Sequence, residues 1–141
     1  MQTVKGSCFC QSVQYEFELP TKFVANCHCS ECRRAHGAAF VTWVGVLEKQ
    51  FRITLGQKNL SAYIYPESKE ATREFCNLCG TQLFFRGARW PGEVHITRAT
   101  VSGNIDRDVQ AEVFYSDKAD WYDRDKKLPI FGGKTGTEKL E

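Results

Sequence analysis

Seven cysteines grouped in three short clusters constrain this 141-residue chain more than any other feature of its sequence. The clusters are Cys8-Phe9-Cys10, Cys27-His28-Cys29-Ser30-Glu31-Cys32 and Cys76-Asn77-Leu78-Cys79. Thiols placed this closely in short polar segments are poorly suited to packing a core, and they are typical ligands of a soft divalent metal ion. The sequence therefore predicts a fold organised around bound metal.

Disulfide bonds and iron–sulfur clusters are the alternative uses of so many cysteines. The odd cysteine count, the lack of a secretory signal at the N-terminus and the strain of a Cys-x-Cys bridge all argue against disulfides. The cysteine runs of iron–sulfur proteins are usually spaced differently. The spacing therefore favours zinc, held by thiols that stay reduced, and we predict a cytoplasmic protein.

We divide the seven thiols between two zinc sites, as a hypothesis from their spacing. Structural zinc is commonly closed by four thiolates, which the two cysteine pairs could supply: Cys8, Cys10, Cys76 and Cys79. The other three would hold a second zinc and leave its fourth position open, as reactive zinc sites do: Cys27, Cys29 and Cys32. His36 is an alternative fourth ligand, whereas the side chain of His28 should point away from a metal shared by its neighbours.

A zinc ion with three thiolate ligands carries a net charge of about −1 and is therefore a weak Lewis acid. A substrate thiol bound there would lose its proton and stay electron-rich, which favours addition of its sulfur to an electrophile over hydrolysis. Arg33 and Arg34 directly follow the three-cysteine loop and could hold a substrate carboxylate. Their alternative is a solvated surface pair. Three aromatic residues could wall a pocket or belong to the core: Phe40, Trp43 and Trp90.

Short segments of alternating apolar and polar residues predict a mainly β fold. Expected strands cover residues 12–19, 38–46, 51–55, 60–65, 72–75, 81–86, 93–101 and 112–115. One or two helical turns are expected over residues 31–36, ending at Gly37. The pair Cys76 and Cys79 should lie at the tip of a β-hairpin, because a strand is expected on each side of it.

The length fits a single domain over residues 1–141, with a core of about 6–122 and a loosely held tail over 123–141. No apolar run of about 18 residues is present, so no membrane-spanning segment is predicted. The formal net charge of +2 is too small to indicate nucleic-acid binding, and two zinc ions with seven thiolates would lower it further. We therefore expect a small-molecule partner, with neither nucleic acid nor membrane.

Taken together, the three cysteine motifs resemble those of the glutathione-dependent formaldehyde-activating enzymes, a family that includes centromere protein V. The motifs lie within residues 6–10, 27–37 and 75–83, and all three keep the spacing and order of the family. The resemblance extends from about Gly6 to the region of Trp121, which is nearly the whole chain.

This resemblance implies a β-tent fold, built of small antiparallel sheets around zinc, with two zinc ions per chain. It implies that the structural zinc is held by Cys8, Cys10, Cys76 and Cys79. It implies that the catalytic-type zinc is held by Cys27, Cys29 and Cys32. The activity it implies is that of a carbon–sulfur lyase, which forms S-hydroxymethylglutathione from glutathione and formaldehyde.

A non-catalytic zinc module that binds a protein or a nucleic acid is the alternative function, since the resemblance includes centromere protein V. A nucleic-acid-binding module would be expected to carry a basic extension. The C-terminal tail of this chain instead mixes positive and negative charges. The sequence therefore favours an enzyme that acts on a thiol such as glutathione.

Overall fold

The computed structural model describes residues 2–67 and 70–140, so the two ends of the expected domain, residues 1 and 141, lie outside the described residues. The strands are β1 (Thr3–Ser7), β2 (Gln14–Glu18), β3 (Phe23–Cys27), β4 (Val41–Leu47), β5 (Phe51–Leu55), β6 (Leu60–Ile64), β7 (Ala71–Cys76), β8 (Gln82–Gly87), β9 (Glu93–Thr97), β10 (Ala111–Val113), β11 (Phe131–Gly132) and β12 (Glu138–Lys139). One α-helix of seven residues, α1 (Ser30–His36), and four short 3-10 turns complete the described part of the chain. The predicted mainly β fold is confirmed.

Seven of the strands form one sheet in the order β10-β3-β4-β9-β8-β7-β6. Its neighbouring strands are antiparallel, except that β10 pairs in parallel with β3. Three other strands form a small antiparallel sheet in the order β1-β2-β5, and β11 pairs with β12. Each expected strand overlaps an observed one, whereas β1, β3, β11 and β12 were not expected.

The hydrophobic core lies between the three-stranded sheet and one face of the seven-stranded sheet. Four side chains in register across β3, β4, β9 and β8 supply that face: Val24, Val44, Ile96 and Phe84. They pack with Tyr15 and Phe17 of β2, and the rings of Tyr15 and Phe84 meet edge to face with centroids 5.1 Å apart. The alternation of apolar and polar residues along β2 therefore predicted correctly that Tyr15 and Phe17 are buried.

The opposite face of the seven-stranded sheet carries a different kind of residue. Alternation along the strands places one row in register across β3, β4, β9, β8 and β7: Phe23, Gly45, His95, Phe85 and Arg73. A mixture of aromatic and polar side chains on one sheet face is unusual for a hydrophobic core, and it indicates a surface that could contact a ligand or another part of the chain. This face borders the cavity described below. No helix among the described residues is long and apolar enough to cross a membrane.

Gly56 is required by the turn that follows β5, and its replacement by alanine should destabilise the fold by about 2–4 kcal/mol. Its φ is +82°, and an added Cβ would lie 1.8 Å from the backbone oxygen of Ser12. Urea unfolding would measure the loss. Gly103 is the matched control, because its φ is +80° but a Cβ there meets no atom within 4 Å. The Gly103→Ala variant should lose only about 1–2 kcal/mol of stability, which is the cost of holding a non-glycine residue in the left-handed region. Equal losses at the two positions would contradict the steric explanation.

Candidate functional site

The N-terminal thiol pair and the hairpin-tip pair come together although they are far apart in the sequence. The sulfur atoms of Cys8, Cys10, Cys76 and Cys79 all lie within 4.8 Å of one another. Cys8 Sγ is 3.7 Å from Cys10 Sγ, and Cys10 Sγ is 3.8 Å from Cys76 Sγ. Zinc–sulfur bonds of about 2.3 Å in a tetrahedron place the sulfur atoms about 3.8 Å apart. These four residues therefore fit a tetrahedral metal ion.

Hydrogen bonds to two sulfur atoms of this four-thiol group, those of Cys76 and Cys79, favour the ionised form. The backbone amides of Val13 and Leu78 donate to Cys8 Sγ and Cys76 Sγ over 3.3 and 3.4 Å. The hydroxyl of Thr81 is 3.1 Å from the sulfur of Cys79 and lowers the pKa of that thiol to about 5. Thiolates are the form that binds metal, so the surroundings of the group suit a metal centre.

The third cysteine cluster forms a second group at the end of β3 and the start of α1. The sulfur atoms of Cys27, Cys29 and Cys32 lie within 4.8 Å of one another. Cys27 is the last residue of β3, Cys29 is the N-cap of α1, and Cys32 is buried in its first turn. The sulfur of Cys29 accepts a hydrogen bond from the Cys32 amide over 3.3 Å, and this contact fixes the loop geometry.

Ionisation is unequal within this three-thiol group. Hydrogen bonds from Cys27 and Cys29 lower the pKa of Cys32 to about 2, and the Arg73 guanidinium lowers it as well. Hydrogen bonding to Cys29 and Cys32, followed by burial, raises the pKa of the Cys27 thiol. The surroundings of Cys32 therefore favour its thiolate form. Three soft sulfur donors with at least one thiolate make a donor set that suits zinc.

Arg73 on β7 is a charged residue that contacts the three-thiol group. It is buried, its Nη2 donates to Cys32 Sγ over 3.6 Å, and its Nε donates to the Tyr65 hydroxyl over 2.7 Å. Its guanidinium stacks on Phe85 with 5.0 Å between the carbon and the ring centroid. The remaining nitrogen, Nη1, is buried without a hydrogen-bond partner among the described residues. A buried unpaired N–H group is costly, so a bound oxygen atom that accepted from this nitrogen would remove that cost.

A cavity of about 770 Å³ opens beside the three-thiol group and Arg73. Its size is within the range of pockets that bind small organic molecules, roughly 300–1,000 Å³. All three thiols of the group line it, as do Arg73, Arg89 and a set of aromatic side chains: Phe23, Trp43, Phe85 and Trp90. The four-thiol group of Cys8, Cys10, Cys76 and Cys79 does not line it. The two groups therefore differ in access: one adjoins a cavity, and the other helps to close the core.

His95 lies on the cavity side of β9 within a polar triad. Its Nε2 is 2.8 Å from Glu93 Oε1, and the other Glu93 oxygen pairs with Lys22. Burial lowers the pKa of His95, and hydrogen bonds from Lys22 and His95 outweigh burial to lower the pKa of Glu93. A neutral histidine beside an ionised carboxylate is the stable arrangement at neutral pH. His95 is thus a hydrogen-bonded histidine, and it belongs to neither of the cysteine groups that could hold a metal among the described residues.

The other histidines lie close to the three-thiol group without joining it. His28 Nε2 is 2.6 Å from Glu112 Oε1, so its ring is held by β10. His36 packs edge to face on Trp43 with 5.4 Å between ring centroids, and burial lowers its pKa to about 4. Neither histidine belongs to the groups of possible metal ligands found among the described residues, which consist of cysteines. The arrangement thus offers three sulfur donors and leaves an approach from the cavity.

Arg33 and Arg34, the predicted carboxylate-binding residues, do not line the cavity. The Arg33 guanidinium donates to the backbone oxygens of His28 and Asp117 over 3.2 and 3.1 Å, which ties the loop to the segment after β10. Arg34 is exposed on α1. Arg73 was missed as a site residue because it was interpreted only as part of a strand leading to Cys76. The available signal was a charged residue in register with the apolar side of that strand.

Comparisons with known proteins find a family model, a named relative and a solved structure that are similar to this chain. A sequence model of the family described as "Glutathione-dependent formaldehyde-activating enzyme" matches residues 3–117. A Schizosaccharomyces pombe protein named only as an uncharacterized lyase is 25% identical over 131 residues, which are 93% of this chain and 92% of that protein. A crystal structure of a Rhodobacter sphaeroides protein has a TM-score of 0.64 and 28% identity, and covers 77% of this chain and 99% of its own.

Proposed function

Because the chain belongs to the glutathione-dependent formaldehyde-activating enzyme family, we propose that it is a carbon–sulfur lyase that joins a thiol to a carbonyl carbon and reverses that addition. The observation that carries the proposal is the group of three thiols beside Arg73 on the wall of a cavity. Glutathione and formaldehyde are the first substrates to test, and we place the protein in the cytoplasm. The lyase name of the similar yeast protein supports an enzyme of this type.

In this proposal Cys8, Cys10, Cys76 and Cys79 hold a structural zinc. Cys27, Cys29 and Cys32 hold a second zinc. Zinc bound there would lower the pKa of a substrate thiol and keep its sulfur nucleophilic. The surroundings of the two groups support different roles, since only the three-thiol group adjoins the cavity. The chain's own side chains must then orient the carbonyl and receive its developing charge.

The reaction needs a donor for the carbonyl oxygen. A bond forms between sulfur and the carbonyl carbon, the π electrons of the carbonyl move to oxygen, and the thiol proton ends on that oxygen. Arg73 is suited to hold this oxygen, because Nη2 is already on Cys32 and Nη1 is buried and unpartnered. A fixed donor aimed at developing charge in a water-poor site is worth about 10²–10³ in rate. Stacking on Phe85 and the bond to Tyr65 keep the guanidinium from moving.

A carboxylate-binding role for Arg33 or Arg34 stays a prediction. The cations that line the cavity, Arg73, Arg89 and Lys22, are better placed for a substrate carboxylate. Lys22 is already paired with Glu93, and Arg89 stacks on Trp90 with 5.2 Å between its guanidinium carbon and the ring centroid. Arg89 is therefore our first candidate for the carboxylate of a thiol peptide.

Native mass spectrometry of freshly purified protein with and without glutathione tests the metal and thiol parts of the proposal. We expect two zinc ions per chain and a glutathione adduct. Exchange spectroscopy by proton NMR should then show that the protein accelerates the interconversion between free glutathione plus formaldehyde and their adduct. Two zinc ions without acceleration for any thiol and aldehyde pair would contradict the enzymatic function and favour the binding-module alternative.

Replacing Arg73 by methionine should lower kcat/KM about a hundredfold while metal content stays at the wild-type level. The reason is that methionine keeps the apolar contact with Phe85 but removes both Nη donors. Arg73→Lys should recover less than a tenth of the activity, since one ammonium cannot serve the Cys32 sulfur and a ligand oxygen in the same fork-like geometry. Steady-state kinetics and zinc analysis would measure both quantities.

Arg52→Met is the matched control for loss of a cation. Arg52 lies on β5 of the three-stranded sheet, where it pairs with Glu16 and Glu18, and it does not line the cavity. Its variant should keep full activity. Arg34→Met tests the competing assignment in the same assay. A large loss at Arg34 with little loss at Arg73 would show that the carbonyl oxygen is not held by Arg73.

A further inference from the structure

The cavity has an apolar side that neither glutathione nor formaldehyde would cover. Four aromatic residues, from three strands and the turn between β8 and β9, form it, and we call them the aromatic wall: Phe23, Trp43, Phe85 and Trp90. Trp43 and Phe85 have ring centroids 6.1 Å apart, and Phe85 and Trp90 have theirs 5.9 Å apart. Phe23 joins the set through His95, whose ring is 4.9 Å from it and 5.5 Å from Trp90. The wall is therefore a continuous aromatic surface.

The aromatic wall is continuous with the three-thiol group. Trp43 packs in one cluster with Cys27 and Cys32, and Phe85 and Phe23 pack against the same cluster. Phe85 also carries the Arg73 guanidinium on its face. Phe23, Phe85 and Trp90 are only partly buried, so their rings present area to the cavity. A ligand whose carbonyl oxygen reaches Arg73 would therefore have its substituent next to this surface.

Formaldehyde carries no substituent, and glutathione is a charged tripeptide with two carboxylates and an ammonium group. Neither provides an apolar group large enough to match the wall. Apolar surface left uncovered in a substrate cavity contributes nothing to binding, whereas a phenyl group placed on it removes apolar area from water on both partners. An electrophile with a polar end and an aromatic end would match both Arg73 and the aromatic wall.

We infer that the electrophile of this enzyme is an aldehyde that bears an aromatic group, with its oxygen on Arg73 and its ring on the aromatic wall. This inference rests on the proposed function and names its substrate class. The chemical step is unchanged: the thiol sulfur bonds to the aldehyde carbon, the π electrons move to oxygen, and the thiol proton ends on that oxygen. No oxidant or further reactant is needed.

The test compares 3-phenylpropanal with propanal, each together with glutathione, and includes formaldehyde. The first two aldehydes have the same saturated carbon next to the carbonyl and similar intrinsic reactivity, so they differ mainly in the phenyl ring. Exchange spectroscopy by proton NMR measures the rate at which each aldehyde and its thiol adduct interconvert. The rate with the protein is compared with the uncatalysed rate. Burial of the ring predicts that kcat/KM is about tenfold to a hundredfold higher for 3-phenylpropanal than for propanal.

Binding provides a second measurement that does not depend on turnover. The chain has three tryptophans, of which Trp43 and Trp90 line the cavity and Trp121 is 69% exposed outside it. In a Trp121→Phe background, the remaining fluorescence reports on the cavity. Titration with 3-phenylpropanal in the absence of thiol should give saturable quenching, and propanal at the same concentrations should give about a tenth of the effect or less.

Trp90→Leu tests the wall itself. Leucine keeps an apolar side chain but removes the ring next to Phe85, so the preference for 3-phenylpropanal over propanal should fall about tenfold. The Trp121→Phe protein is the control for loss of an aromatic residue, and it should keep the full preference.

The outcomes separate this inference from the proposed function. A tenfold or greater preference that Trp90→Leu reduces supports the aromatic aldehyde. Acceleration of formaldehyde and propanal at least as efficient as that of 3-phenylpropanal leaves the lyase in place and overturns the aromatic substrate class. Failure to accelerate any of the three aldehydes overturns the proposed function, and the inference falls with it.

Discussion

Replacing Cys76 by serine is expected to abolish the folded state. Cys76 is completely buried, belongs to the main hydrophobic cluster and lies within 4.8 Å of the three other sulfurs of its group. A structural zinc contributes about 10–16 kcal/mol of binding free energy to folding, which is as large as the whole stability of an ordinary domain, about 5–15 kcal/mol. Loss of one of four ligands would therefore remove most of the stability of the native state.

Circular dichroism in the near ultraviolet and zinc analysis would measure this loss. The variant should lose its fixed aromatic signal and precipitate or bind zinc substoichiometrically. A chelator strong enough to remove both metals should have the same effect on the wild-type protein. A Cys76→Ser protein with native spectra and a native thermal midpoint would contradict the assignment of a folding role to this group.

Replacing Cys29 by serine should instead leave a folded protein with one zinc ion per chain and activity reduced at least about a hundredfold. Cys29 is the N-cap of α1, and its sulfur accepts a hydrogen bond from the Cys32 amide. Serine is a preferred N-cap residue, so the substitution keeps the start of the helix while it removes a soft metal ligand. The same chemical change is thus expected to preserve the fold at position 29 and to abolish it at position 76.

The two serine variants are matched controls for each other. Thermal unfolding should shift by only a few degrees for Cys29→Ser, and native mass spectrometry should show loss of one metal and of the glutathione adduct. If Cys29→Ser were as unfolded as Cys76→Ser, the division into a structural and a reactive group would be wrong. If Cys29→Ser kept two metals and full activity, the three-thiol group would not be the site of reaction.

Much of the fold could be predicted from local sequence patterns. The alternation of Val13, Tyr15 and Phe17 identifies β2, and the run from Glu31 to Gly37 identifies α1 and its end. The mainly β class and the hairpin that carries Cys76 and Cys79 follow from the same kind of signal. These predictions hold because strand and helix periodicity depend on a few neighbouring residues.

Pairing between distant segments was not predictable in this way. The parallel contact of β10 with β3 joins Val113 to Cys27, and nothing in the short segment 111–113 indicates its partner or direction. The strands β1 and β3 are as long as β2, which was predicted, but they border turn-like or cysteine-rich segments and were missed for that reason. Register between strands depends on tertiary packing, so it becomes visible only in the structure.

The sequence by itself determined how the cysteines are grouped, since the spacing of the thiols already divides them into two pairs and one triplet. Only the tertiary structure decided what surrounds the triplet. It brings Arg73 from β7 to Cys32, 41 positions earlier in the chain, and turns Phe85 and Trp43 toward the same cavity. Ligand spacing is a local property of the chain. The cavity is instead formed by strands that are distant in the sequence and become neighbours only when they pair in the correct register.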